Sequence, residues 1–183
     1  MPEKYDVIVV GAGPAGSVTA RYAAEGGASV LLIDKRKEIG VPVQCGEFMP
    51  DNSEIAKIMP DAPGIDELFP DDFTRRHTQK TISGIVVVSP KGREYRIDFK
   101  GYTVNRNEWD ASLAKNAESS GATIKTDTKF IKSIGKKTIL TTRGQFEGDV
   151  IVAADGPISA VCREYGLGEV EWATICILGN NEI

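Results

Sequence analysis

The stretch that most constrains this chain is Y-D-V-I-V-V-G-A-G-P-A-G, Tyr5 to Gly16. Tyr5 to Val10 is the largely apolar run expected of a parallel strand buried on both faces. The G-x-G-x-x-G at its end leads into S-V-T-A-R-Y-A-A-E-G-G, where Ala20, Tyr22, Ala23 and Ala24 suit a helix lying close to a sheet. Gly26 and Gly27 close that helix. A second strand, Ser29 to Ile33, stops at Asp34. In such a unit Gly11 permits the tight turn, Gly13 leaves room for a pyrophosphate, and Gly16 lets helix and strand approach. Amides and the positive dipole end at the helix start hold the phosphates. Asp34 lies 18 residues beyond Gly16 (34 − 16) and offers its carboxylate to ribose hydroxyls. The unit specifies an adenine dinucleotide and leaves NAD and FAD both open.

Composition narrows the classes. Hydrophobic residues make up 41% of 183, enough for a packed core in one domain, or in a large domain with a small lobe. A net charge of -4, from 22 basic and 26 acidic residues, argues against a nucleic-acid partner. Lys35-Arg36-Lys37 reads as a short solvated turn, and Val7–Val10 and Val30–Ile33 are strand-length runs, too short to cross a bilayer. The polar start M-P-E-K-Y-D carries no secretory signal. Cys45, Cys162 and Cys176 are odd in number and lack C-x-x-C spacing, so neither a disulfide framework nor a metal site is expected, and a cytoplasmic setting is the default. The single histidine, His77, sits in T-R-R-H-T-Q-K and reads as a solvated surface residue.

The remainder departs from a plain NAD-binding domain, which would continue alternating strands and helices. About 45 residues after Asp34 read as irregular and proline-rich, with P-D-A-P-G at 60–64 and F-P-D-D-F at 69–73. Strands at Ile82–Ser89 and Glu94–Phe99 flank Pro90-Lys91-Gly92, a hairpin signature. A helix follows, with Asn107 and Asp110 spaced as a capping box. Trp109, Leu113, Ala114 and Ala117 form its apolar stripe, and Gly121 closes it. Short strands are expected near 122–126, 129–134, 137–142 and 145–148, then a buried strand, Val150–Ala153, ending in A-D-G-P-I-S.

This order (glycine-rich βαβ unit, acid, inserted hairpin, R-x-x-x-D-x-x-L helix, β-meander, strand, D-G-x-x-S) resembles the FAD-dependent hydroxylase-like flavoproteins over nearly the whole chain. The resemblance implies an α/β, Rossmann-like, GR2-type FAD-binding domain with an inserted β-hairpin and a β-meander. It implies FAD as cofactor, with Arg106 at the later helix helping to hold it and Asp155, Gly156 and Ser159 near its pyrophosphate.

Within that superfamily, K-R-x-x-x-G-x-P-x-x-C-G-E (Lys35, Arg36, Gly40, Pro42, Cys45, Gly46, Glu47) resembles the archaeal geranylgeranyl reductase family. There the loop passes beside the flavin, which makes Cys45 the candidate catalytic residue, as a proton donor or a shape element. Glu47 reads as structural or hydrogen-bonding. The same family position assigns FAD contacts to Gly11, Gly13, Ala15, Gly16, Asp34, Arg36, Cys45, Gly46 and Phe48, where Phe48 replaces a glycine often found there. The implied reaction is FAD-dependent saturation of isoprenoid double bonds in geranylgeranyl lipids of archaeal membranes. The implied partners are that lipid and an electron donor, NADPH or a ferredoxin-like carrier, with peripheral membrane contact following only from the lipid. Expected boundaries are 1–48 for the first βαβ unit and cysteine loop, 49–104 for the irregular segment and hairpin, 105–168 for the rest of the FAD-binding domain, and 169–183 for the start of a substrate domain. After D-G-x-x-S neither Y-x-W-x-F-P nor a G-D motif occurs, so the fold is expected to be incomplete at the C-terminus. A non-catalytic FAD- or ADP-binding module and, behind it, an FAD-dependent aromatic hydroxylase are the alternatives.

Overall fold

The computed structural model describes residues 2–43, 45–61 and 71–168. Cys176 and the segment 169–183 therefore lie outside the described residues. In chain order the elements are β1 (Glu3–Val10), α1 (Pro14–Glu25), β2 (Val30–Ile33), β3 (Phe48–Pro50), α2 (Asn52–Ile58), α3 (Asp71–His77), β4 (Thr78–Val88), β5 (Glu94–Val104), α4 (Arg106–Ser119), β6 (Thr123–Lys125), β7 (Phe130–Ile134), β8 (Thr138–Thr141), β9 (Gly144–Ala153) and α5 (Ala160–Tyr165). They divide into two units, residues 1–43 with 110–183, and residues 44–109.

The first unit is a six-stranded sheet in the order β6-β2-β1-β9-β8-β7. β6, β2, β1 and β9 are parallel, while β7 and β8 add an antiparallel meander to β9. Successive side chains of a strand point to opposite faces, and both faces here are covered. Ile8, Val10, Leu31 and Ile33 pack with Phe130, Ile139, Phe146 and Val161 on one side. Val9, Val30 and Leu32 pack with Ala12, Ala20, Ala117 and Ala122 on the other. That double burial is why β1 and β2 read as continuous apolar runs. Of the residues that suit a helix close to the sheet, Ala20 is buried and Ala23 and Ala24 pack against the core. Tyr22 points outward, with the Arg21 guanidinium 5.3 Å from its ring centre.

Two expectations are corrected along this stretch of chain. The segments 145–148 and 150–153 form one strand, β9, which pairs antiparallel with β8 through Gly144–Glu147 and parallel with β1 through Phe146–Ala153. Gly148 lies inside β9: a Cβ on it would lie 2.8 Å from Ile8 Cγ1, so the glycine clears space for the neighbouring strand's side chain. Helix α4 starts at Arg106, which places Asn107 inside the first turn and leaves Asn105 as the flanking residue, its carbonyl accepting from Trp109 N at 2.9 Å. The stripe of Trp109, Leu113, Ala114 and Ala117 is buried as the spacing predicts. Gly121, at φ 106°, follows the helix, and Ala122 N bonds back to Ala117 O at 3.0 Å.

The second unit holds a three-stranded antiparallel sheet, β3-β5-β4. The hairpin turns at Pro90-Lys91-Gly92, with Gly92 at φ 76° and Ser89 N donating to Arg93 O at 2.8 Å. Pro50 sits on the edge strand β3, where a missing N–H costs the ladder nothing. The stretch read as irregular contains α2, capped by the Asp51 carboxylate, which accepts from Glu54 N at 2.9 Å, and α3. His77 is buried, contrary to the solvated reading. Its Nδ1 lies 2.8 Å from Phe73 O, and its ring packs against Phe73 at 4.6 Å and Trp109 at 5.6 Å. Its polar sequence neighbours hide the aromatic cluster that supplies this burial.

Candidate functional site

The glycine turn joins β1 to α1, and its three glycines do different physical work. A Cβ on Gly11 would lie 2.3 Å from Ala154 O, and one on Gly16 would lie 1.8 Å from Gly11 O. Both are backbone atoms, so neither position accepts a side chain. Gly16 thus lets the helix seat on the turn itself. Gly13 is the reverse case: nothing lies within 4 Å of its would-be Cβ, so the backbone faces open space there. Gly13 is also the N-cap of α1, Pro14 fills the first turn, and no acidic residue stands in that turn. Donors at a helix start lack intrahelical acceptors, and Ala15, in the first turn, is exposed. An open cradle of backbone at a positive helix end, free of carboxylates, fits a diphosphate.

Asp34 is buried at the end of β2 and spans the turn. Its Oδ2 accepts from Ala12 N at 2.8 Å and its Oδ1 from Arg36 N at 2.8 Å. Sequence reasoning assigned this carboxylate to a ligand sugar and missed these two amides. Each carboxylate oxygen has a further lone pair, so the two tasks are compatible. Arg36 is half-buried between two exposed lysines, and its carbonyl accepts from Asp127 N at 2.7 Å.

Asp155 and Gly156 follow β9. The Asp155 carboxylate accepts from the Ser159 hydroxyl, from Ala160 N at 2.7 Å and from Val161 N at 3.3 Å. Ser159 Oγ accepts in turn from Cys162 N at 2.9 Å. The D-G-x-x-S turn therefore builds the start of α5. Gly156, at φ 97°, is exposed with open space where a Cβ would project.

In the second unit Cys45 is half-buried, and Gly46 is exposed with nothing within 4 Å of its would-be Cβ. Glu47 has φ 59°. Its carbonyl accepts from Val104 N at 2.8 Å and its Oε1 from Arg106 N at 3.4 Å. Phe48 opens β3, opposite Thr103, and its ring packs tilted against Phe99, 5.1 Å between centroids. Arg106, the first residue of α4, is half-buried. The structure thus gathers Gly11, Gly13, Ala15, Gly16, Asp34 and Arg36 around one turn, and Cys45, Gly46, Phe48 and Arg106 around one strand-to-helix joint. Among the described residues no cluster of three or more His, Cys, Asp or Glu side chains suits a metal ion.

The FAD binding domain family matches residues 4–179. The chain belongs to this family. FAD is accordingly its cofactor, as the open cradle at Gly13 suits. A Methanosarcina barkeri protein, described as an uncharacterized protein in the nifH2 5' region, is 39% identical over an alignment of 175 residues that covers 91% of each chain. The digeranylgeranylglycerophospholipid reductase of Methanosarcina mazei is 35% identical over 182 residues, covering 91% of this chain and 41% of that one. A crystal structure of a geranylgeranyl bacteriochlorophyll reductase-like protein from Thermoplasma acidophilum superposes with a TM-score of 0.66 at 30% identity, covering 86% of this chain and 40% of that one. The chain thus spans less than half the length of these two reductase relatives. The resemblance read from the C-G-E loop and the meander is borne out. No helix among the described residues is long and apolar enough to cross a membrane.

Proposed function

We propose that this chain carries the FAD-binding part of a reductase that saturates isoprenoid double bonds in geranylgeranyl lipids. The observation that carries the reading is its 35% identity, over 91% of its residues, with a digeranylgeranylglycerophospholipid reductase. The glycine turn supports it, because the cradle at Gly13 is open while Gly11 and Gly16 are locked by backbone contacts. When bound, FAD supplies hydride chemistry to the alkene.

The chain's own residues bind and orient. Gly13 and the first-turn amides of α1 take the diphosphate, Asp34 takes the ribose while holding the turn, and Gly156 leaves backbone open to the cofactor. Gly46, Phe48 and Arg106 complete the proposed contacts. Cys45 lines the reacting position, as the source of the proton that the alkene's second carbon needs or as a wall against the chain being reduced. NADPH or a ferredoxin-like carrier supplies the electrons.

A second reading, an FAD-binding module without turnover, is favoured by the Methanosarcina barkeri relative, which this chain matches over 91% of its length. One experiment separates them. The purified chain is loaded with FAD, reduced without oxygen and mixed with a geranylgeranyl phospholipid. Flavin reoxidation with the lipid gaining one H2 per double bond supports the reductase. Flavin that stays reduced supports the module. Reoxidation only by oxygen, with hydroxylation of an added phenol, overturns both.

A further inference from the structure

We propose that Glu47 is the positioning residue that fixes the Cys45–Gly46 loop against the start of α4, a role that rests on the reading of this loop and Arg106 as flavin-facing. Glu47 adopts φ 59°, the left-handed region that glycine enters freely and a glutamate does not. The adjacent Gly46 has no such φ, although it would take one without strain. Strain of this kind persists only where the surroundings impose it. Here the carboxylate-bearing residue holds the strained position, which points to a task for its side chain.

Two contacts state that task. The Glu47 carbonyl accepts from Val104 N at 2.8 Å, and Oε1 reaches Arg106 N at 3.4 Å, so one residue grips both sides of the joint between β5 and α4. The joint itself is firm. Val104 is fully buried, Asn105 N donates to His77 O at 3.2 Å, and Asn105 O accepts from Trp109 N at 2.9 Å. Trp109 in turn packs on Phe73 at 4.8 Å and on His77. Glu47 transmits that rigidity to a loop whose next residue, Gly46, faces open space. A group placed on such a support keeps its geometry when a ligand arrives.

Glu47→Gly and Glu47→Gln in the full chain test this. Glycine relieves the φ strain and removes the carboxylate, whereas glutamine keeps an acceptor oxygen in place. Alkylation by iodoacetamide is followed by peptide mass spectrometry, with Cys162 and Cys176 as internal references. For Glu47→Gly the melting temperature without FAD is expected to hold, while Cys45 is alkylated about fivefold faster as its loop opens. FAD affinity is expected to fall about tenfold with the lost tie from Oε1 to Arg106 N, and the visible circular dichroism of bound flavin to change. Glu47→Gln is expected to stay within about twofold of the parent in all three. A glycine variant with parental alkylation and flavin dichroism overturns the proposal, and so does a glutamine variant that behaves like glycine. If the parent binds FAD and reduces no alkene, the reductase reading falls and these measurements still decide Glu47. If the parent takes up no FAD, the alkylation rates alone decide it.

Discussion

The glycine-turn end of the parallel sheet and the outer part of β4 each carry a continuous apolar run, yet the two runs stand in opposite surroundings. Val30–Ile33 is buried at every residue, between α-helices on one face and the meander on the other. Val86, Val87 and Val88 are each about half exposed, as are Tyr95 and Ile97 across the ladder. A valine-rich run therefore states that a strand will form and says little about what lies on it. Close packing makes the interior of the first region intolerant of added atoms, and the second region tolerant of most changes.

Matched substitutions, one from each region, put numbers on that contrast. The largest effect is expected at Gly16→Ala, where the new Cβ would meet Gly11 O at 1.8 Å and folded protein should not be recovered. Its counterpart Gly84→Ala places a Cβ 3.2 Å from Ile97 O and is expected to change unfolding free energy by less than about 1 kcal/mol. Gly13→Ala sharpens the comparison from inside the turn. It should leave the FAD-free melting temperature within a few degrees, since its Cβ enters open space, and yet weaken FAD binding at least about tenfold by filling the cradle.

Next come the core side chains. Leu31→Ala is expected to cost about 2–5 kcal/mol in urea unfolding, and Val87→Ala less than about 0.5 kcal/mol. Equal losses would mean that the hairpin's apolar surface is covered in solution.

The carboxylates follow. Asp34→Ala strands two amides, Ala12 N and Arg36 N, and is expected to cost about 1–3 kcal/mol without ligand, besides lowering FAD affinity. An unchanged FAD-free stability would show that the turn holds without this tie. Asp51→Ala removes the cap of α2 and the acceptor of the Ser53 hydroxyl, and is expected to cost about 1 kcal/mol at neutral pH. The Ser53 hydroxyl, followed by the Glu54 amide, holds the Asp51 carboxyl below its ordinary value. A carboxyl depressed by folding stabilises above its unfolded pKa, and that contribution disappears as pH falls through the folded one. The melting-temperature gap between parent and variant should therefore be full at pH 7 and shrink below about pH 4. A gap independent of pH would assign the loss to the backbone.

What was legible in the sequence is what depends on near neighbours. The glycine turn announces β1, α1 and β2 because tight backbone contact demands glycine at fixed spacings. The stripe of Trp109, Leu113, Ala114 and Ala117 announces α4 because burial follows the helical period. Hidden features depend on distant partners. Residues 145–148 and 150–153 read as two strands until pairing with β1 joins them, with Ile8 filling the space beside Gly148. His77 reads as solvated until Trp109, 32 positions on (109 − 77), packs beside it. Of the two amides held by Asp34, Arg36 N lies two residues on, as in an Asx turn, whereas Ala12 N comes from a distant part of the turn, and Glu47 has an unusual φ that no residue-type rule would assign to it.

The placement of β1 between β2 and β9 has a consequence for how the protein is made. Its Val7 pairs with Val30 on one side and with Val150 on the other. During synthesis the first neighbour leaves the ribosome soon after β1, while the second arrives more than a hundred residues later. Until then the hydrogen-bonding edge of the strand that leads to the glycine turn stays open, a long wait that slows assembly and invites wrong pairing. The nucleotide cradle at the end of β1 is therefore secured only after β9 has been made.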